Sequence, residues 1–328
     1  MIGYYIHHQG SGHRTRAEAI ISALTSPVVA LTSLSDPPGG CTDVVTLDRD
    51  NTSPHPVDVT ADHALHWVPL HDNGLRERMG QIADFIVQRQ PSAIVVDVSV
   101  EVAVFARLMG VPVVVIAMPG QRSDPPHRLA HRVADAIVAP WPRELYRPGW
   151  LDEFGEKTTF TGGISRHDGR RIDVDECRRS DVLVMTGTGG SHTDSGDVER
   201  LAADHPNLSI RGLGASFGTW VDDPWPDLCS ARLVVINAGQ GSVADVATAQ
   251  RPALVLPQHR PFDEQHATAT TLRRADLATV APQWPSPQSW EAILDAARHP
   301  GRRPPEWSRW RTAGAAGRAA EVIEECAR

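Results

Sequence analysis

Three short stretches combine glycines with small or polar residues, and each follows an apolar run typical of a buried strand. They are residues 10–12, 187–190 and 239–241. A glycine-rich turn that opens a helix presents backbone N–H groups and the positive end of a helix dipole, which suits a phosphate group. The same turn also occurs where nothing binds, because glycine supplies the free backbone dihedrals that it needs. The turns alone leave phosphate binding and a plain β–α connection equally open.

Histidines cluster around the first of these turns. His7, His8 and His13 lie close together near the N-terminus. Their spacing includes no helical i, i+4 pair and no cysteine or carboxylate partner, so we expect no metal there. His13 stands at the start of a predicted helix, whose dipole disfavours the imidazolium and keeps the ring neutral, as a general base requires. Capping of the helix and contact with a phosphate or sugar are the alternative roles for His13.

The first half of the chain alternates strands with helices, which predicts a parallel sheet covered on both faces. Strands are predicted at 2–7, 27–32, 43–47, 93–98, 111–117 and 136–139. Helices are predicted from the first turn to about 24, and at 75–89, 100–109 and 128–134. Residues 49–73 are rich in proline, histidine and aspartate, and we expect a long loop of the kind that is often functional.

Prolines and glycines in residues 140–166 interrupt this alternation and predict a linker. Strands are then predicted at 182–186, 208–212, 233–236, 253–256 and 277–280, with helices at 197–204, 242–250, 263–275 and 287–298 and a last helix at 306–327.

The predicted fold is therefore α/β, with two Rossmann-like domains whose parallel sheets face each other across a cleft. The domains cover 1–145 and 167–305, with a linker at 146–166 and a C-terminal helix at 306–328 that can cross back to the first domain. Ligands of such folds bind beyond the carboxyl ends of the strands, so we expect all three glycine-rich turns to line the cleft.

Composition limits the function classes. A net charge of −8 over 328 residues argues against a general nucleic-acid partner. No run approaches the roughly 18 apolar residues of a membrane span. The chain begins directly with a predicted strand, so we expect no signal peptide. The four cysteines form no CxxC pair, which favours a cytoplasmic location and argues against zinc or disulfides.

Several short motifs extend this picture across nearly the whole chain. They are Gly10-Ser11-Gly12-His13, Thr161-Gly162-Gly163 followed by Arg166, Thr186 to Ser191, Trp220-Val221-Asp222-Asp223, Asn237 to Ser242, and Asp263-Glu264-Gln265-His266. In this order the chain resembles the GT-B nucleotide-sugar glycosyltransferases. The likeness is to the bacterial N-acetylglucosaminyl transferase that forms lipid II and, more loosely, to the UDP-glycosyltransferases.

The resemblance implies transfer of a sugar from a nucleotide sugar, most simply UDP-linked, to an acceptor hydroxyl, with no metal and no cofactor. It also implies an acceptor-binding first domain and a donor-binding second domain. The donor-binding positions would be Arg166, Thr188, Gly189, Ser191, Trp220, Val221, Asn237, Gly239, Gln240, Gly241, Ser242, Asp245, Asp263, Glu264, Gln265 and His266. Positions on the diphosphate or acceptor side would be Gly10, Ser11, Gly12 and Arg122.

Individual roles follow from the same resemblance. Arg166 would contact the diphosphate, Trp220 and Val221 would hold the uracil, and Asp245 would reach the ribose. Two departures matter, because Asp245 stands where the family usually has glutamate and His266 stands where the lipid II enzyme has a second glutamine. They leave the identity of the sugar open.

Catalysis would rest on His13 as base, with Asp97 at the end of a predicted strand as its partner. Asp97 could instead bind acceptor hydroxyls or, with Ser99, cap the following helix. A nucleotide-sugar 2-epimerase, using Asp97 and Glu101, and a non-catalytic nucleotide-sugar binder are the alternative functions. A nicotinamide oxidoreductase is disfavoured, since no GxGxxG follows the first strand.

The acceptor stays open among a lipid, a natural product and a glycan. A lipid acceptor would bring transient membrane contact, for which residues 63–70 (HALHWVPL) offer apolar side chains.

Overall fold

The computed structural model describes residues 1–8, 11–172, 179–187, 189–298 and 305–328. The chain forms two compact units. The first contains Met1–Pro140, Arg147–Thr161 and Ala315–Arg328, and the second contains Trp141–Tyr146 and Gly162–Gly314.

The first unit is built on a seven-stranded parallel sheet. Its strands are β1 (Ile2–Ile6), β2 (Val28–Thr32), β3 (Asp43–Thr46), β4 (Ala93–Asp97), β5 (Val113–Ile116), β6 (Ala136–Ala139) and β7 (Thr158–Phe160). They are ordered β3-β2-β1-β4-β5-β6-β7, and every neighbouring pair is parallel. All residues of β1, β2 and β4 are buried, as expected for strands covered on both faces.

Four helices connect these strands. They are α1 (Ser11–Ala23), α2 (Asn73–Arg89), α3 (Val100–Leu108) and α4 (Pro125–Val133). Side chains cap two of them, because Asp72 accepts from the Leu75 N–H at the start of α2 and Ser99 accepts from the Val102 N–H at the start of α3. The sequence predicts these four helices and the first six strands to within three residues at each end.

The second unit has a five-stranded parallel sheet in the order β12-β11-β10-β8-β9. Its strands are β8 (Val182–Thr186), β9 (Ile210–Gly214), β10 (Leu233–Ile236), β11 (Ala253–Val255) and β12 (Thr279–Val280). Its helices are α5 (Ser195–Asp204), α6 (Trp225–Ser230), α7 (Gln240–Ala249), α8 (Glu264–Arg274) and α9 (Pro287–Arg298).

The apolar run of β10 illustrates why this sheet forms. Val234 and Ile236 pack into the hydrophobic cluster on one face, and Leu233 and Val235 pack into the cluster on the other. Successive strand residues point to opposite faces, so a continuous apolar run fills both layers.

The stretch for which the sequence predicts a linker contains regular structure. Residues Gly149–Lys157 form a 3₁₀ helix, and β7 follows directly and pairs with β6. The chain returns to the second unit at Gly162, whose φ is +84° and where a side chain would meet the Arg311 carbonyl oxygen at 2.2 Å. Glycine is required there for both reasons.

The C-terminal segment is not one continuous helix from residue 306. Trp307–Trp310 form a 3₁₀ turn in the second unit, and the backbone turns at Arg311 and Gly314, both with positive φ. Helix α10 (Ala315–Cys326) then packs in the first unit, against α1 and β6. The Glu324 carboxylate accepts hydrogen bonds from the backbone and hydroxyl groups of Thr25 and Ser26. The helix therefore returns to the first unit, as the sequence predicts.

Candidate active site

His13 and Asp97 meet at the carboxyl edge of the first sheet. Asp97 is the last residue of β4 and is paired with Ile6, the last residue of β1, while His13 lies in the first turn of α1. His13 Nδ1 lies 2.8 Å from Asp97 Oδ1. The Asp97 side chain is fully buried and that of His13 is 17% exposed. The topology thus joins two residues that are 84 positions apart.

The hydrogen bond assigns a tautomer to His13. The Asp97 carboxylate can only accept, and it lies closer to Nδ1 (2.8 Å) than the donor Arg16 Nη2 does (3.0 Å), so we place the ring proton on Nδ1. Nε2 then carries a lone pair and can take a proton, which is the arrangement of a general base oriented by an acid. Ser99 caps α3, as the alternative for this segment expected, but the Asp97 carboxylate takes no part in the cap and bonds to His13 instead.

Arg16 completes this site, although no sequence motif singles it out. Its Nε and Nη2 atoms donate to Asp97 Oδ2 and Oδ1 at 3.0 and 2.5 Å. Burial opposes the ionisation of Asp97, but the Arg16 charge and the hydrogen bonds from His13 and Arg16 hold its pKa well below the usual range. Asp97 is therefore a carboxylate throughout the physiological pH range.

The other two N-terminal histidines lie next to this pair. The His7 ring is edge-on to His13 at 6.2 Å between centroids and stacks on His8 at 4.8 Å. Burial and the neighbouring His13 lower the pKa of His7 to about 4. His7 is consequently uncharged at neutral pH.

A second histidine cluster gathers around Asp124, the residue before α4. Asp124 Oδ2 lies 2.6 Å from His66 Nε2, and Asp124 Oδ1 lies 2.5 Å from His127 Nδ1. These residues could by type hold a metal ion. However, Arg122 Nη1 lies 3.1 Å from His127 Nε2 and can only donate, so the proton of His127 is on Nδ1, where a metal would need a lone pair.

Arg122 was expected to contact the diphosphate or the acceptor. Its side chain is buried and donates to the Pro119 carbonyl oxygen at 3.2 Å as well as facing His127. The structure thus places Arg122 in a hydrogen-bonding network formed by the loop before α4 and the first turn of that helix.

In the second unit, Asp245 on α7 contacts the segment that follows Gly163. Ser165 Oγ donates to Asp245 Oδ1 at 2.7 Å, and Arg166 Nε lies 3.7 Å from Asp245 Oδ2. Burial raises the pKa of Asp245 to about 6, although Ser165 and Arg166 act in the other direction. Within this unit the carboxylate expected at the ribose is bonded to the protein itself.

Gln265, expected at the donor sugar, is also bonded internally. It is buried, and its Oε1 accepts from the Gln258 N–H at 2.9 Å. Gln258 Oε1 in turn accepts from the His192 N–H at 2.9 Å, and Arg260 donates to the Gly190 carbonyl oxygen at 2.7 Å. The loop after β11 is thereby tied to the glycine-rich loop after β8.

The remaining residues of the acidic-glutamine motif are more exposed. Phe262 and Asp263 both have left-handed backbones, with φ of 60° and 59°. Asp263 is exposed, Glu264 is half-buried at the start of α8, and His266 Nδ1 lies 3.0 Å from Asp263 Oδ1. Two consecutive non-glycine residues in this region are strained, which is typical of ligand-binding segments.

Trp220 and Val221 differ in burial. Trp220 is 56% exposed, so it does not fill a gap in the core. Val221 is partly buried and packs against the hydrophobic cluster that contains Trp225. The neighbouring Asp223 is bonded to Arg170 at 2.7 Å.

The glycine-rich turns differ in their need for glycine's backbone freedom, since Gly190 has a positive φ of 83° and Gly239 does not. Gly239, the N-cap of α7, has φ −67° and ψ 140°, which other residues also adopt. A side chain at Gly12, Gly187 or Gly239 would meet no atom within 4 Å. The expectation about dihedrals is therefore wrong at Gly239, and open space beside the backbone is the feature that these positions share.

No protein-family model matches the chain. A curated relative, the UDP-N-acetylglucosamine--N-acetylmuramyl-(pentapeptide) pyrophosphoryl-undecaprenol N-acetylglucosamine transferase of Acidiphilium cryptum (strain JF-5), is 30% identical over 89 residues. That match spans 26% of this chain and 24% of the relative.

Solved structures resemble the chain over its whole length. The glycotransferase of kitacinnamycin has a TM-score of 0.70 at 16% identity and covers 99% of this chain and 98% of its own. UGT89C1 of Arabidopsis thaliana, complexed with UDP-L-rhamnose, has a TM-score of 0.68 at 15% identity, with 100% and 99% covered. MurG of Acinetobacter baumannii has 0.63 at 15% identity, with 99% and 100% covered. This chain has the GT-B glycosyltransferase fold.

The GT-B fold and its two parallel sheets confirm the predicted fold class.

Two predicted site residues, Gly10 and Thr188, lie outside the described residues, and of Ser11 only the backbone, which starts α1, is described. Half-buried positions at the start of α7 are Asn237, Gly239, Gln240, Gly241 and Ser242. In the loop after β8, Gly189 is exposed and Ser191 is half-buried.

Four residues that contact the predicted positions were missed: Arg16, Ser165, Gln258 and Arg260. A signal existed for Arg16, since it lies three positions after His13 and thus on the same helix face. Ser165 adjoins Arg166 but belongs to no motif that we recognised. Among the helices of the described residues, none has the length and apolar character needed to cross a membrane.

Proposed function

We propose that this protein is a glycosyltransferase that moves a sugar from a UDP-sugar to an acceptor hydroxyl, with His13 as general base. The His13–Asp97 hydrogen bond carries the proposal, because it leaves the basic nitrogen Nε2 on the partly exposed side chain. The fold and the UDP-sugar complex of a structural neighbour support a sugar nucleotide as donor.

The proposed chemistry has one proton transfer and one substitution. The acceptor hydroxyl gives its proton to His13 Nε2 while its oxygen attacks the anomeric carbon. The bond from that carbon to the diphosphate oxygen breaks, and UDP leaves with the electron pair. Asp97 stabilises the imidazolium that forms, and positioned bases of this kind contribute roughly 10²- to 10⁴-fold to rates.

We assign the acceptor to the first unit and the donor to the second. Trp220 offers an exposed aromatic face for the uracil, and Arg166 offers a guanidinium for the diphosphate. The open backbone at Gly239 and the start of α7 add N–H donors and a helix dipole. The loop that contains Asp263, Glu264, Gln265 and His266 would contact the sugar, and Asp245 would reach the ribose if its bond to Ser165 opens.

Fixed donors aimed at a leaving diphosphate can stabilise its charge without a metal ion. We therefore propose that the reaction is metal-independent. EDTA should leave the rate of UDP release unchanged, and a loss that added Mg²⁺ restores would contradict this point.

The test measures UDP release from a panel of UDP-, TDP- and GDP-sugars with candidate acceptors, for the wild type and His13→Ala. General base catalysis predicts a loss of at least about 100-fold in kcat for His13→Ala. Retention of more than about a tenth of the rate would overturn the assignment of the base. His205→Ala, at a half-buried position at the end of α5 and outside the predicted site, is the matched control and should keep full activity.

Other outcomes identify the alternatives. Tight UDP binding without turnover for any acceptor would indicate a non-catalytic binder. A sugar isomer that forms without acceptor would indicate an epimerase.

A further inference from the structure

Arg16 is buried beside the proposed base and has an unusual position. Its side chain is 7% exposed, and its Nη2 atom lies 2.5 Å from Asp97 Oδ1 and 3.0 Å from His13 Nδ1. The same Nη2 lies 3.5 Å from the Met118 sulfur. One guanidinium nitrogen therefore touches both members of the pair.

The two contacts of Nη2 have different chemical meanings. The contact with Asp97 is a charge-assisted hydrogen bond, and together with Nε it forms a side-on fork that fixes the plane of the carboxylate. The contact with His13 brings a positive charge to within 3.0 Å of a ring that would become positive on protonation. Arg16 thus stabilises the charged form of Asp97 and destabilises the charged form of His13.

The charge around His13 comes from few groups in the described residues. Asp97 faces it from β4 and Arg16 from α1, and His7 faces it from the end of β1. Burial first, and then His13, lower the pKa of His7 to about 4, so His7 adds no charge near neutral pH. Tyr4 on β1, influenced by Asp97 and Arg16, has its pKa raised by burial and is likewise neutral.

Asp97 alone would form a tight ion pair with a protonated His13. Such a pair holds its proton, and a histidine that holds its proton cannot accept one from a substrate at neutral pH. A fixed cation next to the aspartate offsets that attraction while leaving the hydrogen bond that orients the ring.

We propose that Arg16 is a positioning residue that aligns Asp97 with His13 and, through its charge 3.0 Å from Nδ1, opposes protonation of the His13 ring. The role in catalysis depends on the proposed function, but the effect on the ring does not.

The decisive experiment follows the His13 ring by NMR in the full-length, ¹⁵N-histidine-labelled protein. Its signal is assigned by its loss in His13→Ala. The ¹⁵N shifts should show the proton on Nδ1 in the wild type. In Arg16→Met the pKa of the ring should rise by about 1 to 3 pH units, as expected when a neighbouring like charge is removed. Arg16→Lys keeps the charge without the fork and should give a smaller rise.

Two controls separate charge from general disturbance. Arg14→Met removes a charge on the same helix whose partners are Glu18 and Asp36, and it should shift the His13 ring by less than about 0.3 units. The double variant Arg16→Met with Asp97→Asn removes both charges and should return the ring close to the wild-type pKa. An unchanged pKa in folded Arg16→Met, or an equal shift in Arg14→Met, would overturn the proposal.

A rate measurement then connects the ring to activity. In Arg16→Met the acid limb of kcat/KM for UDP release should move to higher pH by the shift seen in NMR, with the high-pH plateau lowered less than 10-fold. A uniform loss at every pH would indicate a merely structural role. If the wild type shows no transfer at all, the proposed function fails while the NMR titration still decides the role of Arg16.

Discussion

Two buried aspartates, one in each unit, have similar neighbours and yet differ in charge. Asp97 and Asp245 are each buried next to an arginine and a histidine. The pKa of Asp97 is held well below its usual range, whereas burial raises the pKa of Asp245 to about 6. Two aspartates with similar neighbours therefore have pKa values that are shifted in opposite directions.

Distance and number of charged donors explain the contrast. Arg16 makes two direct hydrogen bonds to Asp97, at 3.0 and 2.5 Å, and His13 adds a third. Arg166 stays 3.7 Å from Asp245, whose one side-chain hydrogen bond in the described contacts comes from the neutral hydroxyl of Ser165. Where charge-assisted hydrogen bonds are missing, the burial of the carboxylate dominates and raises its pKa. Asp97 is thus a permanent anion, and Asp245 can gain or lose a proton near neutral pH.

The largest expected effect is on activity. Asp97→Asn should lower kcat/KM for UDP release by at least about 100-fold, because the amide N–H₂ group facing His13 favours the tautomer that places the proton on Nε2. Steady-state kinetics would measure the loss, and near-UV circular dichroism would verify the fold. Asp43→Asn, at an exposed site paired with Arg89, is the control. Near-normal activity in Asp97→Asn would contradict the contrast between the two carboxylates.

The second prediction concerns stability, on which the charges of the two aspartates should have opposite effects. The folded pKa of Asp245, about 6, lies above that of an unfolded aspartate, about 3.9. The unfolded chain loses this proton first as the pH rises, so Asp245 destabilises the fold progressively from about pH 4 to 6, by up to about 3 kcal/mol above that range. Asp97 contributes stability above about pH 4, which is lost as the pH falls further.

Urea unfolding of the wild type, Asp245→Asn and Asp97→Asn at pH 4, 6 and 8 measures both effects. Asp245→Asn should be more stable than the wild type at pH 8 and equal to it at pH 4. Asp97→Asn should be less stable at pH 8, by about 3 kcal/mol, because it leaves the buried Arg16 without its anion. If both variants changed stability in the same direction at pH 8, the two aspartates would not differ as described.

The expected effect on ligand binding is smaller, and here two tryptophans of the second unit should differ. Trp220→Ala should weaken UDP binding about 10-fold without changing stability, because the side chain is 56% exposed and is proposed to stack on the base. Trp225→Ala should destabilise the unit by about 3 to 5 kcal/mol, because Trp225 is buried in the core. Calorimetric titration with UDP and thermal melts distinguish them, and unchanged UDP affinity in Trp220→Ala would remove Trp220 from the site.

The smallest expected effect concerns the hydrogen bond between Ser165 and Asp245. Ser165→Ala removes the hydroxyl that lowers the pKa of Asp245, so that pKa should rise further and stability at pH 8 should fall by about 1 kcal/mol. Ser289→Ala, at an exposed position of α9, is the control. A pH dependence of unfolding identical to that of the wild type would show that Ser165 does not govern Asp245.

The fold could be predicted well because continuous apolar runs mark the strands, and the alternation of strands with helices matches the parallel sheets. The apolar runs of β6, β8 and β10 are continuous, and the strand boundaries predicted from them match the structure. The short strand β7 escaped prediction because a three-residue strand among prolines and glycines carries no periodic signal. Helix α6 lay in a segment rich in tryptophan and proline and was missed for the same reason.

The sequence named residues of the candidate site, and the structure shows which of them are hydrogen-bonded to one another. Asp97 was one candidate to orient His13, and their contact arises because β1 and β4 are neighbours in the sheet. Arg16 was missed because an arginine on a helix is usually solvated, and its burial arises only when Asp97 is placed beside it. Asp245 was expected to bond a ligand, and its bond to Ser165 depends on contacts 80 residues apart.

The central claim is that His13 and Asp97 act as one base, and a double-mutant cycle tests it most directly. UDP release would be measured for His13→Ala, Asp97→Asn and the double variant under saturating donor and acceptor. Residues that act as a unit are strongly non-additive, so the double variant should be no more than about 3-fold slower than His13→Ala alone. If the two losses multiply instead, the residues act independently and the account of the base is contradicted.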